Sequence, residues 1–172
     1  MNFVEVGCKP GVKDVLGLAV KARLEEDLFV KGIRKAAFVD VYRLECGLSP
    51  KELGRVAAEL LCDPVTQAYS IDRPVQTGFD WAVTVSFHKN VTDNVGIAAR
   101  EGVEDLLGRK LGENERVYYD RKYLFWGKPA DAPGGALSEE TVKEIAEKAL
   151  ANDLVESWRL ERGTPGPNGG AR

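Results

Sequence analysis

His88 is the single histidine of the chain, and Asp93 is the only acid close to it in sequence. A histidine with an orienting carboxylate is the smallest set that can do general acid–base work. The alternative is a strand-end histidine at a surface or interface. The three cysteines, Cys8, Cys46 and Cys62, are far apart and form no Cys-x-x-Cys. That spacing offers neither a zinc knuckle nor a thioredoxin-type pair. Glycines precede a helix between Gly11 and Gly17, but they lack phosphate-loop spacing, and Gly127-Lys128 fails for the same reason. No paired acids, Ser/His/Asp set or cofactor cradle stands out. The reading therefore expects no catalytic site of the chain's own, no cofactor and no bound metal.

Charge and hydropathy narrow the classes further. In 172 residues, Lys plus Arg number 24 and Asp plus Glu 27, a net charge of −3. That balance argues against a nucleic-acid binder working on bulk charge. Hydrophobic residues make up 44% and charged residues 30%, ordinary proportions for a globular chain. No apolar run approaches the roughly 18 residues of a membrane span. Met1-Asn2-Phe3-Val4-Glu5 lacks the basic-then-apolar layout of a signal peptide. An odd, sparse cysteine set fits a reducing compartment. A cytoplasmic protein without membrane or nucleic-acid partners is expected.

The elements that must position these residues come in two copies. Val4, Val6, Val12, Asp14 and Gly17 align with Val83, Val85, Val91, Asp93 and Gly96 at a constant offset of 79. Leu53, Val56, Ala57 and Leu61 align with Val142, Ile145, Ala146 and Leu150 at an offset of 89. The growth places an insertion of about ten residues in the second copy, hosted by the Pro/Gly-rich stretch Gly127 to Gly135. The division is 1–72, a linker at 73–80, a second unit at 81–162 and a flexible tail at 163–172. Cys8 and Cys62 align with Phe87 and Ala151, so they read as small core residues.

Each copy opens on an alternating strand, Val4-Val6-Cys8 or Trp81-Val83-Val85-Phe87. Asp14 or Asp93 then caps a helix whose inward stripe is expected at Leu16, Val20 and Leu24, or Val95, Ala99 and Val103. The extended segments Ala36–Cys46 and Arg116–Trp126 are long enough for two strands with a bend. Ser49-Pro50-Lys51-Glu52 is a capping box with Pro at the first helical position, and Ser138-Glu139-Glu140 opens its counterpart. A last strand closes each copy. The order β-α-β-β-α-β predicts two tandem ferredoxin-like units, α+β, with helices on one face of antiparallel sheets.

A recognition turn shared by both copies would use Lys9 and Asp14 in the first, and His88, Lys89 and Asp93 in the second. Tyr42-Arg43 and Lys122-Tyr123 place an aromatic beside a cation near the expected bend, a composition that suits a protein interface. These nine residues are the candidate interface.

The same motifs resemble a known family. Lys9-Pro10-Gly11-Val12-Lys13-Asp14 looks like the opening of the PurS subunit of phosphoribosylformylglycinamidine synthase, and of the matching domain in the single-chain form of that enzyme. Val41-Tyr42-Arg43-Leu44 and Leu60-Leu61-Cys62-Asp63-Pro64-Val65 resemble the family's middle strand and helix end, and Ala149 to Glu156 is the second version. Val15 and Asn94 stand where the family often has Pro, and His88-Lys89-Asn90 replaces the Lys-Pro-Gly turn. The resemblance implies a small, non-catalytic subunit in purine biosynthesis. It would bridge the large synthetase subunit and the glutaminase subunit for ammonia transfer, as a covalent mimic of a dimer that can associate further. The alternative is a pair of ferredoxin-like domains that senses a small molecule.

Overall fold

The computed structural model describes residues 1–163. The rest of the expected flexible tail, 164–172, lies outside the described residues. The elements in chain order are β1 (Asn2–Cys8), α1 (Val15–Asp27), β2 (Ile33–Glu45), α2 (Pro50–Arg55) and β3 (Gln67–Ile71), then β4 (Trp81–Phe87), α3 (Asn94–Leu107), β5 (Arg116–Gly127), α4 (Glu139–Ile145) and β6 (Glu156–Arg162). Over the described residues the protein is α+β, with four helices and one six-stranded antiparallel sheet in the order β3-β1-β2-β5-β4-β6. No helix among the described residues is long and apolar enough to cross a membrane.

The two long extended segments do not bend into paired strands. β2 is one strand of 13 residues and β5 one strand of 12. The reason is compositional. Ile33–Glu45 and Arg116–Trp126 each carry a single turn-prone residue, Asp40 or Asp120, with no Gly, Pro or Asn beside it to complete a turn, and both are rich in Val, Tyr and Phe. The observed order within each half is therefore β-α-β-α-β.

The chain forms two compact units, and neither is one half of the sequence. The first comprises residues 1–12, 39–75 and 89–120; the second comprises 13–38, 76–88 and 121 onward. The long strands pass from one unit to the other, β2 at Phe38–Val39 and β5 at Asp120–Arg121. The first unit thus takes α3 from the second half of the chain, and the second unit takes α1 from the first half.

In the first unit β1 is the central strand, with Val4 opposite Tyr42 on β2 and Ile71 on β3. Val4 and Val6 are fully buried against Leu44, Leu53 and Val56, with Val103 of α3. Each such side chain contributes roughly 1.5–3 kcal/mol by leaving water. In the second unit β4 pairs with β6, Val83 opposite Leu160 and Val85 opposite Trp158. Its core joins Val83 and Val85 to Phe125, Leu24 of α1, and Val142 and Ile145 of α4. The opposite side of β4 is also covered, since Ala82 and Thr84 are buried. The linker contributes to such cover. In the first unit the Val75 N–H donates to Glu5 at 3.0 Å, and in the second Phe79 packs edge-on against Trp126.

Helix starts follow the caps anticipated from sequence. Ser49 and Glu52 form the reciprocal capping box, with Pro50 at the first position. Ser138 accepts from the Thr141 N–H at the start of α4. Both helices then widen into a π-helical turn, Val56–Leu61 after α2 and Ala146–Leu150 after α4. A widened turn at matching places in the two halves marks a repeated local geometry.

Candidate functional site

Asp14 and Asp93 each hold two backbone groups at once. One carboxylate oxygen of Asp14 accepts from the Gly17 N–H at 2.8 Å and caps α1; the other accepts from the Phe38 N–H of β2 at 2.8 Å. Asp93 repeats both bonds, to the Gly96 N–H at 2.8 Å and to the Tyr119 N–H of β5 at 2.6 Å. The carboxylate clips helix to strand and satisfies donors that would otherwise be orphaned. Gly17 and Gly96 allow the close approach. A Cβ on Gly17 would lie 2.6 Å from the Ala36 oxygen, and one on Gly96 would lie 2.5 Å from the Val117 oxygen. The repeated Asp and Gly are thus engaged in holding the fold.

The turn before each of these helices is tied to the turn before the closing strand. The Lys9 N–H donates to Thr66 O and its ammonium to Pro64 O. The His88 N–H donates to Val155 O at 2.9 Å, and its ring Nε2 lies 3.1 Å from Asp153 O. Asp63 and Asn152 both fold their side chains onto the backbone two residues on, at Val65 and Leu154. His88 is therefore anchored through its ring to a carbonyl oxygen and is exposed, as is Lys89. Among the described residues, no group of three His, Cys, Asp or Glu side chains could hold a metal ion.

The aromatic–cation pairs are placed differently from a solvent-facing bend. Arg43 grips Asp120, which is buried, at 2.6 and 3.2 Å and covers the Tyr118 ring. Lys122 is buried, 3.8 Å from Glu161 and 5.9 Å from the Phe79 ring centre. Tyr123 lies in the core of the second unit, edge-on to Phe38. Tyr42 packs against Tyr119 at 5.5 Å in the first unit. Burial, then the Asp40 and Asp93 carboxylates, pushes the Tyr42 phenol up to about 12. Burial likewise raises the Tyr123 phenol. The folded chain keeps the Tyr42 proton where the unfolded chain loses it, so stability falls as pH rises from about 10 to about 12. Tyr42→Phe is expected to make that fall shallower, as read from urea midpoints across this range.

What remains exposed and apolar is more informative. Leu16 of α1 is 57% exposed and its counterpart Val95 of α3 is 43% exposed. Leu18 and Ile97 are each 48% exposed, and Val65 and Leu154 in the turns are 77% and 82% exposed. Single exposed hydrophobics are normal on a folded surface. Here they recur at matching positions, so that each unit shows two helix residues and one turn residue. Leu16 and Val95 were expected to face inward. The buried stripe instead begins one residue later, at Gly17 and Gly96, because the glycine must touch the strand. The sequence does carry that signal, a glycine repeated three positions after each capping aspartate.

Comparison with protein-family models and with curated proteins found no match for the chain.

Proposed function

We propose that the chain is a non-catalytic assembly subunit, whose two matched surfaces hold larger catalytic subunits together. The observation that carries this reading is the recurrence of exposed apolar residues, Leu16 with Val95, Leu18 with Ile97, and Val65 with Leu154. Two like sets of exposed apolar residues on one polypeptide suit a bridge between partners, and tethering them raises the effective concentration of one at the other. The engagement of Asp14, Asp93 and His88 in backbone hydrogen bonds supports the reading from the other side.

The motif resemblance specifies the partners. On this proposal the chain is a tandem PurS-like pair of ferredoxin-like units in phosphoribosylformylglycinamidine synthase, joining its synthetase and glutaminase subunits. The exchange of α1 and α3 between the compact units fits a covalent version of an intertwined dimer. Size-exclusion chromatography with light scattering tests the proposal, using the full chain with the purified synthetase and glutaminase subunits. The expected result is one complex containing all three. Separate elution in the presence of glutamine and ATP would overturn it.

A further inference from the structure

The second unit has a cleft beside the Pro/Gly-rich stretch Gly127–Gly135. Three segments line it: Gly78–Trp81 from the linker and β4, Gly127–Lys128 with Ala136–Leu137 around the insertion, and Arg162–Gly163 from the end of β6. Its volume of about 420 Å³ suits a small molecule.

The walls are held by hydrogen bonds between these segments. The Asp80 N–H donates to Phe125 O at 2.9 Å, and the Gly163 N–H donates to Asp80 O at 2.8 Å. The Asp80 carboxylate accepts from the Gly127 N–H at 2.7 Å, and the Trp81 indole donates to Leu137 O at 3.0 Å. Lys128 donates its backbone N–H to Gly32 O at 2.7 Å. The cleft is therefore preformed, and a ligand would not have to order it.

Its chemistry is amphiphilic. Phe79, Trp81, Ala136 and Leu137 supply apolar lining, while Lys128 and Arg162 supply positive charge. Arg162 lies over the Trp81 ring at 5.4 Å. Neither Lys128 nor Arg162 is in an ion pair among the described residues. The lining also holds the Asp80 carboxylate, which accepts from the Gly127 N–H, so two cations against one acid leave the cleft at +1; Glu139, within electrostatic reach of Arg162, pairs with Lys143 at 2.7 Å.

We propose that this cleft binds a small organic anion, with the charged group at Lys128 and Arg162 and an apolar body against Phe79 and Leu137. The site is independent of the assembly reading, and a ligand here is what a sensing role would require. Calorimetry on the full chain with phenyl phosphate, benzoate and benzyl alcohol tests it, together with the indole N–H signal of Trp81. Phenyl phosphate or benzoate is expected to bind and shift that signal. Benzyl alcohol is expected to bind about tenfold more weakly or not at all, because charge-assisted contacts are lost. Binding of phenyl phosphate alone identifies a phosphate ester site, and binding of both anions a general one. Lys128→Ala and Arg162→Gln are each expected to weaken anion binding about tenfold; the melting temperature should stay unchanged for Lys128→Ala and fall by no more than about 4 °C for Arg162→Gln, which loses its contact with the Trp81 ring. No binding of either anion, or binding that both substitutions leave intact, would overturn the proposal.

Discussion

Gly96→Val is expected to destabilise the protein by about 3 kcal/mol, lowering its melting temperature by about 6–12 °C. A Cβ there would stand 2.5 Å from both the Val117 oxygen and the Asp93 carboxylate. Neither neighbour can yield cheaply. The Val117 oxygen belongs to the backbone of β5, and Asp93 is held by the Gly96 and Tyr119 N–H groups. Pushing α3 off the strand would therefore loosen the clip that joins helix to sheet, and valine adds a branched side chain to the crowding. Gly54→Ala is the control, because a Cβ at Gly54 meets nothing within 4 Å. Inside α2 that change is expected to stabilise by about 0.5–1 kcal/mol. Urea unfolding of both variants checks the pair. Equal, small changes would show that Gly96 is not a packing requirement.

Leu16→Asp with Leu18→Asp is expected to weaken association with the proposed catalytic subunits at least about tenfold. Fully burying a leucine contributes roughly 1.5–3 kcal/mol; about half of that remains to be gained by each of these half-exposed side chains, and together they amount to about one to two decades at about 1.4 kcal/mol per decade. A carboxylate brought into an apolar contact adds a desolvation cost. The fold itself should be spared, because both positions are about half exposed. Aspartate in the first turn of α1 also complements the positive end of the helix. Calorimetric titration with unchanged circular dichroism and melting temperature would separate loss of binding from loss of structure. Undiminished affinity would remove these helix residues from the interface.

Much of this architecture is legible in the sequence because it is local. Asp14 with Gly17 and Asp93 with Gly96 announce the helix starts, and Ser49-Pro50 and Ser138 announce the others. What the sequence hides is where a long strand goes. Local pattern cannot distinguish one continuous strand from two strands joined by a poor turn, and β2 and β5 are continuous. That one feature decides the allocation of α1 and α3 to the two compact units.

The candidate residues divide along the same line. Asp14 and Asp93 could be read as caps, since N-cap chemistry acts within three residues. The burial of Lys122 and Tyr123 could not, because it depends on elements distant in sequence, including the Phe79 linker and Phe38 of β2. The exposed Leu16 and Val95 were obscured by a periodicity one residue out of phase, which only the close approach of Gly17 and Gly96 corrects.

As proposed, the chain assembles an enzyme without supplying its chemistry. The direct measurement is glutamine-dependent turnover of formylglycinamide ribonucleotide by synthetase plus glutaminase, with and without this chain, and with ammonia replacing glutamine as the control. Adding the chain is expected to raise glutamine-dependent turnover strongly, and adding the Leu16→Asp, Leu18→Asp variant is not. Equal glutamine-dependent turnover with and without the chain would contradict it.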